Sequence, residues 1–277
     1  MTRIHMTLQL NMNSEEIDML VPYYGTKEQS TGFSKEGFYG QKFKCIWLLH
    51  GLGGVSKDWL SYTMMEVFAE EKEVFVICPE GRSGYYTDCP SGDDWETRIT
   101  EEVWDYLHQL FPMMSEKPED NMVMGNSMGG YGALRFALCH PEKFGFGAPL
   151  SGGLNVPQRY AEGETINGHL DQAFGPRDEV NGSKYNLYKC AEELLESGKK
   201  KPELYIACGT QDWEYKPNKN FYEFLKAKGF QVTWAEGDYG HEWRFWNEQC
   251  ELALNRFIPE NIISSKAERG ERKEHEG

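Results

Sequence analysis

Ser127 stands at the centre of GNSMGGYGA, Gly125 to Ala133, which contains a G-x-S-x-G pattern. A serine hydroxyl becomes a useful nucleophile when a neighbouring base takes its proton. Alone, the pattern is short enough to recur by chance. Its surroundings give it weight. The apolar run Met122 to Met124 precedes it and the helix-compatible run Tyr131 to Cys139 follows. That places the serine on a sharp strand-to-helix turn with its hydroxyl exposed. Glycines suit such a turn because a Cβ at Gly125 or Gly129 would strike the adjoining strand or helix. The helix N-terminus behind the turn favours developing negative charge. The competing reading is a plain glycine-rich turn capped by serine.

Acyl chemistry on Ser127 would need an oxyanion site made of two preorganised backbone N–H groups. One is expected from Met128, the residue after the nucleophile. HGLGG, His50 to Gly54, closes the first buried run and offers the second at Leu52. A base and an acid follow in chain order. GTQDW places Asp212 just beyond the run Leu204 to Cys208, and EGDYGHEWRFW places His241 beyond Val232 to Trp234. In this arrangement Ser127 attacks, His241 carries the proton, and Asp212 fixes the imidazole tautomer. Asp238 lies too close to His241 in sequence to reach its far nitrogen easily, and Glu214 is expected to face elsewhere. His50 is read as a brace of the glycine loop, and His140 as a partner of a helix C-terminus. Trp59, Trp95 and Trp213 are the aromatic candidates for narrowing an acyl pocket, with Trp47 and Trp104 assigned to the core.

These residues need a scaffold that collects strand ends. Short apolar runs recur at Cys45 to Leu49, Val74 to Cys78, Met122 to Met124, Phe146 to Leu150, Leu204 to Cys208 and Val232 to Trp234. Between them lie helical patterns at Ser56 to Glu70, Asp93 to Phe111, Met128 to Cys139, Lys184 to Glu196, Asn218 to Lys228 and Glu242 to Phe257. Strands alternating with helices predict an α/β protein with a doubly wound, mostly parallel sheet. Ile4, Met6, Leu8 and Leu10, then Ile17, Met19 and Val21, alternate about a turn at Asn11 to Ser14 and predict an N-terminal antiparallel hairpin. The expected organisation is one domain over 1–262, a small cap or lid inserted at 152–202, and a charged, disordered tail at 263–277.

Composition narrows the field further. The chain has 277 residues, 39% of them hydrophobic and 14% aromatic, enough for a substantial core. Its formal charge of −15 repels phosphate backbones and anionic lipid, so neither nucleic acid nor a membrane is an expected partner. The mean hydropathy is −0.65 and no apolar run reaches membrane-spanning length. The N-terminus has no continuous apolar stretch of the secretory kind. Seven dispersed cysteines without a C-x-x-C pair read as reduced thiols of a cytoplasmic protein, with no metal site.

HGLGG, GNSMGGYGA, CGTQDW and GHEWRFW, in this order, resemble the tributyrin esterase branch of the esterase D-like α/β-hydrolases. That group includes S-formylglutathione hydrolases, with feruloyl and acetyl-xylan esterases as relatives. The resemblance runs from about Cys45 to Ile258. It implies an α/β-hydrolase fold and a cofactor-free serine carboxylesterase acting on short acyl esters of small molecules or glycans, often as an oligomer. Ser127, Asp212 and His241 fall on the triad positions, and Leu52 and Met128 on the oxyanion positions. S-formylglutathione hydrolases typically read HGLTC and GHSMGG, where this chain has Gly53, Gly54 and Asn126. That departure lowers the thioesterase reading, which stands as the alternative beside acyl transfer and a non-catalytic binding module.

Overall fold

The computed structural model describes residues 1–10, 13–23, 35–164, 170–180 and 182–259. The charged segment at 263–277 and part of the hairpin turn lie outside the described residues.

Eight strands form one sheet: β1 (Thr2–Leu10), β2 (Asn13–Val21), β3 (Cys45–Leu49), β4 (Phe75–Pro79), β5 (Asn121–Asn126), β6 (Phe146–Leu150), β7 (Glu203–Gly209) and β8 (Val232–Gly237). Their order is β1-β2-β4-β3-β5-β6-β7-β8. The hairpin β1–β2 is antiparallel, with Ile4 opposite Met19 and Met6 opposite Ile17. β2 adds antiparallel to β4, and every pairing beyond it is parallel. This is the α/β-hydrolase fold that the sequence predicts.

The central strands β3 to β6 are buried throughout and largely apolar, because helices cover both faces. In β3, Cys45, Trp47 and Leu49 enter one core while Ile46 and Leu48 enter the other. The first core is closed by the helices Met128–Cys139, Leu187–Ser197 and Tyr215–Ala227, and the second by Met65–Lys72 and Trp243–Phe257.

Two helices depart from the predicted pattern. Ser56 to Glu70 is not one helix but two, Asp58–Tyr62 and Met65–Lys72, because Thr63 adopts an extended conformation between them. The break is held by the Thr63 hydroxyl, which donates to Trp59 O, and by the Met64 N–H, which donates to Asn247 Oδ1 at 2.7 Å. The Asp93 to Phe111 pattern begins at Trp95 and contains a π-helical stretch, Arg98–Val103. Within 152–202, Leu187–Ser197 packs against Met128–Cys139 as part of the first layer, while Val156–Ala161, Leu170–Phe174 and Arg177–Val180 are short.

Candidate active site

Open parallel sheets place their sites beyond the C-terminal ends of the strands. β5 ends at Asn126, and Ser127 follows at φ 55°, ψ −116° before the helix Met128–Cys139 begins. An L-residue rarely adopts this conformation, and it costs about 1–3 kcal/mol. Backbone contacts impose it. A Cβ on Gly125 would enter the Gly129 carbonyl, and one on Gly129 would enter the Leu49 carbonyl. Ser127 N–H donates to Leu150 O at 3.0 Å, and Ser127 O accepts from Tyr131 N–H and Gly153 N–H. Between Asn121 and Ala137 every residue but Ser127 is buried.

The glycine loop after β3 faces it. Gly53 takes φ +72° and Gly54 N–H returns to Gly51 O at 3.0 Å. His50 is buried beneath this loop, as its reading as a brace anticipates. Its Nδ1 lies 2.8 Å from Gly51 O and its Nε2 3.0 Å from Glu80 Oε1. Glu80 also accepts from the N–H groups of Ser56 and Arg82 at 3.0 Å each. Burial alone would raise the Glu80 carboxyl, but the hydrogen bond and charge of His50, with those two N–H groups, hold it below the usual carboxylate range. The Ser56 hydroxyl donates to Asp18 Oδ2 on β2 at 2.8 Å. The loop bearing Leu52 is therefore pinned from β4 and from the hairpin. Met128 opens its helix, so its N–H belongs to the first turn, which has no intrahelical acceptor.

The residues expected as acid and base lie beyond adjacent strand ends, those of β7 and β8. Asp212 Oδ2 lies 2.8 Å from His241 Nδ1, with the Asp212 side chain fully buried and that of His241 11% exposed. Glu214 N–H donates to the other Asp212 oxygen at 2.8 Å. Two backbone bonds staple the loops together: Thr210 N–H to Gly237 O at 2.9 Å and Gln211 N–H to Tyr239 O at 3.0 Å. Gly209 permits that approach, since a Cβ there would meet the Tyr239 carbonyl. Glu214 pairs with Arg159 at 2.6 Å, and Asp238 accepts from Gln211 Nε2, so neither is the imidazole's partner. Burial pushes the Glu214 carboxyl up, with Asp212 adding to the rise against the pull of Arg159. His140, read as a helix-terminal dipole partner, instead reaches Glu96 Oε1 at 3.0 Å.

Ser127 and His241 line one cleft of about 510 Å³ with Leu52, Tyr62, Trp243 and Trp246. The acyl-pocket assignment of the tryptophans needs correction. Trp59 is fully buried behind the wall, donating its indole N–H to Leu49 O at 3.0 Å and packing edge-on against Trp243. Trp95 lines a different cavity, with Arg82, Ser83 and Cys89, and lies 4.5 Å from the Arg98 guanidinium. Trp213 is 68% exposed at the rim, stacked on His241. The wall is formed by Trp243 and Trp246, three residues apart on the helix that begins just after His241. Their spacing in GHEWRFW carried that signal, because i and i+3 share a helix face.

A serine on a strained turn, a carboxylate-bonded histidine in the same cleft and a pinned glycine loop define a serine hydrolase of the α/β-hydrolase class. A family model described as "Putative esterase" matches residues 37–257, so the chain belongs to that esterase family. The acetyl esterase of Caldicellulosiruptor saccharolyticus is 28% identical over 215 residues, which cover 75% of this chain and 80% of that one. Among solved structures, the fluorophosphonate-binding serine hydrolase F of Staphylococcus aureus superposes with a TM-score of 0.82 at 26% identity, covering 94% of this chain and 99% of that one. The S-formylglutathione hydrolase of Staphylococcus aureus gives 0.79 at 26% identity, covering 93% and 98%. The protein is an ester-hydrolysing serine hydrolase. Among the described residues no helix is long and apolar enough to cross a membrane, and the seven cysteines are free thiols.

Proposed function

We propose that the protein is a carboxylesterase of the tributyrin esterase kind, hydrolysing short-chain acyl esters through an acyl-enzyme on Ser127. The observation that carries the reading is the 2.8 Å contact of Asp212 with His241, whose imidazole shares a cleft with Ser127. His241 takes the proton of Ser127 as the hydroxyl attacks the ester carbonyl. The N–H groups of Leu52 and Met128 receive the oxyanion, and His241 returns the proton to the departing alcohol. Water, activated by the same imidazole, then releases the acid. The two tryptophans beside Ser127 limit the acyl chain, and the acetyl esterase relative supports a short one. The free thiols fit a reducing, cytoplasmic compartment. The solved S-formylglutathione hydrolase supports a second reading, thioester hydrolysis by the same triad.

The test is hydrolysis of p-nitrophenyl esters from acetate to decanoate, with S-formylglutathione in parallel. Acetate and butyrate are expected to turn over fastest, and Ser127→Ala to lower kcat by roughly 10⁴- to 10⁶-fold. Near-normal turnover by Ser127→Ala would sink the mechanism. Faster hydrolysis of S-formylglutathione than of any oxygen ester would favour the second reading.

A further inference from the structure

Trp213 poses a physical question. Of the eight tryptophans, it alone is exposed, at 68%, the others being buried or half-buried. Burial in the core therefore does not account for its place. Its ring stacks on the imidazole of His241, with centroids 4.2 Å apart and planes 29° from parallel. Trp246 meets the same imidazole nearly perpendicularly, at 5.0 Å and 89°. Trp213 also follows Asp212 directly in the chain. One short loop thus supplies both the carboxylate that bonds the imidazole and the indole that covers it.

We propose that Trp213 is a positioning residue, whose indole face holds the His241 ring in the orientation bonded to Asp212 and screens that bond from water. The inference rests on the triad reading given above. An imidazole has a broad torsional preference about its ring bond, so one hydrogen bond at 2.8 Å leaves it free to rock. A stacked face on one side and a perpendicular ring beside it remove that freedom. The stack gains strength when the imidazole becomes charged during acyl transfer, because the indole face attracts cations. Trp246 already forms part of the cleft wall, whereas Trp213 is not among the cleft-lining residues. The contribution proposed for it is made through His241, on which it stacks.

Two readouts separate this role from a structural or substrate-binding one. The first is the low-field proton resonance of the Asp212-bonded imidazole N–H, compared in wild type, Trp213→Ala and Trp213→Phe. The second is the division of any kinetic loss between kcat and KM on p-nitrophenyl butyrate. In Trp213→Ala the resonance is expected to broaden through exchange with water. Its kcat is expected to fall about two- to fivefold, with KM changed by less. Trp213→Phe, which keeps an aromatic face, is expected to recover both. A sharp resonance in Trp213→Ala, a loss confined to KM, or a phenylalanine variant as impaired as alanine would overturn the proposal. Failure of a fluorophosphonate to label Ser127 in the wild type would instead strike the esterase mechanism, and the resonance would still report whether the stack holds the ring.

Discussion

The serine and the histidine of the cleft are held by different means. Ser127 is fixed by main chain against main chain, with Gly125, Gly129 and the Leu49 carbonyl so close that no side chain fits between them. His241 sits on a loop of partly exposed residues and is held by a carboxylate, two backbone staples and aromatic rings. The first arrangement tolerates no substitution at its glycines without moving the strands. The second is a sum of separable contacts, each removable with the fold intact. Damage at the elbow should therefore register as lost stability, and damage at the base loop as lost rate.

Of the variants that separate the two regions, one on the histidine side has the largest expected effect. Asp212→Asn keeps the shape of the side chain but no longer favours the productive imidazole tautomer, and kcat is expected to drop about 10⁴-fold. Its urea midpoint is expected to stay close to that of the wild type. Unfolding well below that midpoint would mean that the acid loop bears on the fold as the elbow does.

Gly129→Ala is the converse. Its methyl group must displace the Leu49 carbonyl, at a cost of about 3 kcal/mol in urea unfolding. An unchanged midpoint with reduced activity would erase the distinction between the two regions.

A smaller effect sharpens the comparison away from both. Glu15, on β2, is buried, and the Arg98 guanidinium lies 3.8 Å from its carboxylate. Burial pushes its carboxyl up to about 8. In the unfolded chain this group ionises near 4.5, so between those values the folded state holds a proton that the unfolded state has released. Stability must then fall as pH rises through that window. Glu15→Gln removes the slope and is expected to gain about 1–2 kcal/mol at pH 8, with the gain vanishing toward pH 5. A gain of equal size at both pH values would show that packing, not ionisation, sets the penalty.

Much of this was legible in the residues, for reasons that also explain the omissions. β3, β6 and the helix Met128–Cys139 fall where the apolar runs predict them, because burial on both faces leaves a continuous local signature. Asp212 and His241 could be read from their places after strand-like runs, since the fold gathers such ends. The break at Thr63 depends on Asn247, which is remote in sequence and invisible to periodicity. The π-helical turn at Arg98–Val103 keeps the apolar spacing of an ordinary helix and leaves no local mark. The pairing of Glu80 with His50 joins two loops across a parallel strand pair, and neither segment alone announces it. The tryptophans were visible as a crowd, but which of them reach the cleft is decided by side-chain direction in three dimensions.

The bond from Ser56 to Asp18 has a consequence for how this molecule can be taken apart. Ser127, Asp212 and His241 all lie on the core strands' loops, so a chain trimmed to start at β3 would retain every side chain of the proposed triad. It would also lose Asp18, one of the anchors of the loop that faces Ser127, and uncover the edge of β4 that β2 now pairs. The hairpin is thus wired into the floor of the cleft. Grafting this site onto a shorter scaffold would have to carry that anchor along.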